Sequence, residues 1–187
     1  MAPSDSAPIV VDPPTQILFQ GVDFVAELLN LNVPQLVDLA ALRGLPSHTL
    51  GRSLVDFLEE HQLLPLTSGP RRKQLHDTVH VLTGYGTDIL GEAEVQAFLL
   101  GAKFHWLNAA IGLGAIFRLY HEQPPIPGFQ QQVRARLHVA YQRGRDSCLE
   151  IDRWVVESQW ERPLAEVRST LQIPPLPPES APSQENS

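Results

Sequence analysis

The chain has 187 residues, enough for one domain with a buried core. Hydrophobic residues make up 43% and charged residues 19%, a globular balance that excludes a wholly disordered chain. A formal net charge of −7 argues against a nucleic-acid partner held by phosphate neutralisation, and the single cysteine, Cys148, excludes an intrachain disulfide and a zinc ribbon and fits a reducing compartment.

Residues 1–14 are rich in Pro, Ser and Ala and read as disordered, as does the Pro-rich tail 174–187. The N-terminus is acidic, with no basic or long apolar region, so it resembles neither a signal peptide nor a mitochondrial presequence. The expectation is a bacterial cytoplasmic protein, at most peripheral on the inner membrane. A mitochondrial location requires that a presequence be missing from the chain as given. Between the two ends, residues 15–173 lack hairpin signals and read as helices punctuated by Pro and Gly. The expected fold is all-α, a single-domain helical bundle with a long central apolar helix.

In chain order, "TQILFQGVDFVAELLN" predicts a first helix ending near Pro34, and "PQLVDLAAL" a short second one stopped by Gly44. In "SHTLGRSLVDFLEEHQLL", Leu50, Leu54, Phe57, Leu58 and His61 form one stripe of an amphipathic helix. "GPRRKQLHDTVHVLTG" opens with Pro70 at the first helical position and breaks at Gly84 and Gly86. Its "RRK" reads as a solvated face. Residues 91–122 are largely apolar, on a surface wider than one stripe that Lys103 and His105 interrupt, and predict the central helix, with a Pro loop after it. Residues 128–158 predict another long helix, which would carry Cys148 as an ordinary helical residue. "ERPLAEVRSTLQI" predicts a final short helix ended by Pro174. His105, Trp106 and His138 lie in apolar contexts and read as core residues.

His76 and His80 are four apart, so a helix sets both imidazoles on one face. Divalent metals favour that spacing because one rigid element pre-positions two nitrogen donors. Asp77 sits about 100° round the helix from His76, as an edge ligand or as a partner to an imidazole. After the "TGYG" break a new helix is expected near Gly91-Glu92, and a carboxylate in its first turn can face back. Glu92 fits; Glu94 would point elsewhere. Two histidines with carboxylates suit Zn or non-haem Fe. Taken on spacing alone, the same residues also fit a plain helix face with an acid complementing the helix dipole.

"HDTVHVLTGYGTDILGE" resembles the HDxxH-x11-E signature of the fourth coenzyme Q (ubiquinone) biosynthesis protein, the Coq-four family, through His76, Asp77, His80 and Glu92. "LPSHTLGRSLVDFL", "YQRGRDS" and "PLAEVRSTLQIPP" are similar to three further family segments, with Val167 in a usual Leu place. The similarity runs from about residue 15 to 178. It implies a helical protein whose motif holds a metal and which acts on the quinone head group. The implied chemistry is oxidative decarboxylation of a polyprenylated hydroxybenzoate. The implied partners are a prenylated lipid or quinone precursor, a membrane surface and other quinone-biosynthesis enzymes, with a homodimer allowed. A non-catalytic lipid-binding scaffold is the alternative.

A polyprenyl tail would need an apolar groove, for which Phe98, Gly101, Phe104, Leu107, Ile111 and Phe117 are the candidates. The same stripe also fits plain helix packing. Arg52, Arg143 and Arg145 are candidates for an anionic head group, because guanidinium binds carboxylate or phosphate bidentately. A third reading, an all-helical His-Asp phosphohydrolase, would enlist His48 or His61 with Asp146 or Asp152, and leaves Glu92 unexplained.

Overall fold

The computed structural model describes residues 32–103, 112–114, 116–117, 121 and 128–177. The helix expected over 15–30, the segment 1–14, the Pro loop, His105, Trp106 and residues 178–187 lie outside the described residues. Within them the fold is an all-α bundle, with isolated bridges at Asn32–Pro70 and Thr49–Pro163 but no strand.

Helix α1 spans Leu39–Arg43 and starts later than Pro34, because the Asp38 carboxylate caps it by accepting from the Ala40 and Ala41 amides. Gly44 closes it as expected. Helix α2, Leu50–Glu60, is capped by the Thr49 hydroxyl and buries Leu50, Leu54, Val55 and Leu58. His61 lies beyond its end, exposed, against the Phe57 ring. The helix expected from Pro70 is two pieces, α3 (Arg71–Gln74) and α4 (His76–Thr83). Leu75 between them sits at φ −95° and ψ 4°, in the bridge region, and Pro70 is the cap rather than the first helical residue. Beside that joint the buried Gln74 amide serves four backbone groups, accepting from Leu36 and donating to Val33, Pro34 and Gly69. The "RRK" run is engaged rather than only solvated: Arg71 pairs with Glu157 and Arg72 with Asp152, each at 2.6 Å.

Helix α5, Ile89–Ala102, begins at its Asp88 cap, three residues before the expected start. The long central helix expected over 91–122 is interrupted. Lys103 takes an extended conformation, and its ammonium reaches Glu150 at 2.9 Å. Residues 112–114 and 116–117 are helical again. Helix α6, Phe129–Asp146, packs along α5 and stops well before 158. The Ser147 hydroxyl there accepts from the Leu149 amide and donates to the Gly144 carbonyl, a local turn that competes with further helix. Cys148 is therefore not helical; it is exposed, and its amide donates to the Leu171 carbonyl. His138 is exposed on α6, not in the core. A 3-10 turn at Val156–Ser158 leads to α7, Leu164–Thr170.

Gly101 and Gly144 explain how closely α5 and α6 approach. A Cβ on Gly101 would lie 2.0 Å from the Tyr141 carbonyl oxygen, and one on Gly144 2.0 Å from that of Phe98. Phe98 is fully buried in the core with Leu54, Leu58, Val95 and Leu82. The chain's last described stretch binds the rest. The Trp160 and Arg162 carbonyls accept from the Gly51 and Leu50 amides at 2.9 Å. Residues 174–176, placed in the tail on composition, pack instead: Pro174 accepts from Arg143, and Leu176 lies over Gly84.

Candidate metal centre

Helix α4 presents His76 and His80 one turn apart, and Gly84, at φ 79°, ends it in the left-handed conformation that glycine adopts most readily. The chain then reverses so tightly that a Cβ on Gly91 would lie 2.1 Å from the Gly86 carbonyl oxygen. That contact seats the first turn of α5 against α4 and turns Glu92 back toward the histidines.

The three side chains meet. The Nε2 atoms of His76 and His80 are 3.2 Å apart. His76 Nε2 is 3.2 Å from Glu92 Oε2, and His80 Nε2 is 3.2 Å from Glu92 Oε1. Ligand atoms about 2.1 Å from one Zn or Fe ion, at angles of about 90–110°, stand about 3.0–3.4 Å apart. The spacing fits that requirement, and among the described residues this is the one group of three or more such donors that lies close enough to share an ion.

The surroundings favour free lone pairs at the centre. His80 Nδ1 lies 3.2 Å from the Tyr85 carbonyl, which can only accept. The ring proton therefore sits on Nδ1, and in the neutral imidazole Nε2 is unprotonated and faces His76 and Glu92. Phe57 stacks on the His80 ring at 5.7 Å. His80 is buried, whereas His76 and Glu92 are partly exposed, so the cluster opens on one side.

Burial opposes the Glu92 charge, but hydrogen bonds from His76 and His80 and their positive charges, when the rings are protonated, outweigh it and hold the carboxyl far below the usual carboxylate range. Burial likewise opposes a charged His76, yet Glu92 and then Asp77 raise its pKa. Asp77 stands beside the three rather than among them. Burial raises its pKa, against the lowering effect of both histidines.

The arginines singled out from sequence are scattered. Arg52 pairs with Asp56 at 2.7 Å and donates to the Arg43 carbonyl. Arg145 is exposed. Arg143 is buried and donates to the Thr83 and Pro174 carbonyls, leaving Nη1 buried without a partner. Of the groove residues, Phe98 and Gly101 are packed between α5 and α6, Phe117 is 68% exposed, and Phe104, Leu107 and Ile111 lie outside the described residues. The residues required by the phosphohydrolase reading do not assemble among the described residues; Asp152 is held by Arg72.

Two features escaped sequence reasoning. Tyr85 orients His80 through its backbone, and an aromatic between two glycines directly after the histidine-bearing helix was the available signal. Glu94, fully buried, forms a two-pronged ion pair with Arg136 on α6 at 2.9 and 2.6 Å, and no local signal connects residues 42 apart.

The family model for the coenzyme Q (ubiquinone) biosynthesis protein Coq4 matches residues 31–177. The mouse mitochondrial ubiquinone biosynthesis protein COQ4 homolog is 30% identical over 84% of this chain and 62% of its own length. The first of two such homologs in Culex quinquefasciatus is 28% identical over 84% of this chain and 59% of its own. The chain thus spans about six-tenths of the length of these relatives. In fold it is similar to a crystal structure of a candidate ubiquinone biosynthesis protein from Nostoc punctiforme, with a TM-score of 0.62 at 19% identity, covering 86% of this chain and 82% of the other. With the family model matching from before α1 to beyond α7, the chain belongs to the Coq4 family of coenzyme Q (ubiquinone) biosynthesis proteins.

Proposed function

We propose that this protein is a metal-dependent enzyme of ubiquinone biosynthesis. His76, His80 and Glu92 would hold a divalent Zn or Fe, and beside it the ring carboxylate of a polyprenylated hydroxybenzoate would leave as CO2 while a hydroxyl takes its place, with dioxygen as the oxidant and a two-electron donor reducing the second oxygen atom to water. The observation that carries this reading is the convergence of two imidazole nitrogens and one carboxylate, each pair at 3.2 Å. When bound, such a metal supplies Lewis acidity and, as iron, redox chemistry with open positions for substrate.

The chain's own residues do the rest. Tyr85 keeps the His80 proton on Nδ1, Phe57 covers the ring, and the open side beside His76 and Glu92 admits the head group. Leu113 and Phe117, 67% and 68% exposed, suit contact with a prenyl tail or a membrane surface. No helix of the described residues is long and apolar enough to cross a membrane.

Elemental analysis of protein purified without added metal, alongside His80→Ala, tests the proposal. About one equivalent of metal in the wild type and a loss of tenfold or more in the variant are expected. Iron together with loss of the ring carboxylate from a prenylated hydroxybenzoate supports catalysis. Inert zinc with no turnover favours the lipid-presenting scaffold.

A further inference from the structure

The last four carbonyls of an α-helix have no partner inside the helix, and water or a local cap ordinarily serves them. At the end of α4 all four have protein donors. The Gly84 amide donates to His80 O at 2.7 Å. Arg168 on α7 donates to Val81 O at 2.7 Å and to Leu82 O at 2.9 Å. Arg143 on α6 donates to Thr83 O at 3.0 Å. Both guanidiniums come from distant segments, 60 residues or more along the chain. Bringing them together is unfavourable in itself: burial, and then the charge of Arg143, depress the Arg168 pKa.

What this cap holds still is the turn carrying His80 and the loop after it. Arg143 lies 4.9 Å above the Tyr85 ring, and the Tyr85 carbonyl is the group that holds His80 Nδ1. Arg143 also ties down Pro174, and Leu176 covers Gly84.

We infer that Arg168 and Arg143 are positioning residues of the metal centre: together they lock the end of α4 and the Tyr85 loop, and so fix His80 Nε2 at the donor cluster. This inference rests on the metal-binding reading of His76, His80 and Glu92. Arg168 is the cleaner probe because, among the described residues, the hydrogen bonds of its guanidinium go to α4 carbonyls, and a lysine cannot reproduce its fork across two of them.

The full chain is tested with Co2+ as the probe, in wild type, Arg168→Ala, Arg168→Lys and Arg43→Ala, at a temperature where circular dichroism shows each folded. Two quantities are read: cobalt affinity with its visible absorption band, and the imidazole 15N shifts of His80 in metal-free protein, which report its tautomer. Arg168→Ala is expected to weaken cobalt binding about 10- to 100-fold, as loss of supporting groups around metal ligands does, and to mix the His80 tautomers. Arg168→Lys should recover part of both. Arg43→Ala, which removes an exposed pair with Glu59, should change neither. Wild-type cobalt affinity in Arg168→Ala overturns the inference. If the wild type takes up no cobalt, the metal reading has failed, and the 15N shifts alone decide: an unaltered His80 tautomer in Arg168→Ala then overturns the positioning role. If Arg168→Ala does not fold, the same comparisons on Arg168→Lys and Arg168→Gln decide.

Discussion

His76 and Glu92 respond to pH in opposite senses. Glu92 has its pKa held below the ordinary 4.5, so its contribution to stability is present above that value and is lost as pH falls through the folded value. His76 has its pKa raised above the ordinary 6.5, so its contribution is complete below that value and is lost as pH rises through the folded one. The two overlap between about pH 4.5 and 6.5 in the metal-free protein. Melting temperatures across pH should show wild type exceeding Glu92→Gln most in that window, with the gap narrowing on both sides. A bound metal should move the optimum upward, because it competes with the proton for His76. Arg136→Leu strands the fully buried Glu94, whose burial already raises its pKa, and should cost about 3–5 kcal/mol in urea unfolding. The histidine pair was readable because four residues make one helical turn. Glu94 was not, because its partner is fixed by how α5 meets α6.

Among the elements, the crossing of α5 and α6 depends on two glycines that lack room for a Cβ. Gly144→Ala should destabilise the bundle by about 1–3 kcal/mol, since the Phe98 carbonyl is backbone and cannot swing away. Gly114→Ala, with nothing within 4 Å of the new Cβ, should be neutral or stabilise by up to about 1 kcal/mol. Chemical denaturation of the two variants side by side checks the contrast. Among the described residues, α2, α7 and the Gly44 and Gly84 stops were legible because they depend on local pattern and capping. The break at Lys103 showed only as an interruption of the apolar pattern, because Gly101 nearby serves the close approach of α6 and the partner that takes the ammonium, Glu150, is distant in sequence. The end of α6 near Ser147 was hidden within a continuous helical pattern.

At the scale of the whole molecule, the segments matched from sequence serve one centre from three directions. The α2 segment supplies Phe57 over the His80 ring, α6 supplies Arg143, and α7 supplies Arg168. The sequence pattern pointed to His76, His80 and Glu92, while the support around them became visible only in three dimensions, since carbonyl partners leave no mark on side-chain patterning. X-ray absorption spectroscopy of the metal-loaded full chain reads the ligands of the ion itself. The expected result is an ion with two imidazole nitrogens and carboxylate oxygen at about 2.0–2.2 Å, the imidazole signature being lost in a His76→Ala/His80→Ala double variant. A spectrum without imidazole scattering, or one unchanged in that variant, would contradict the account.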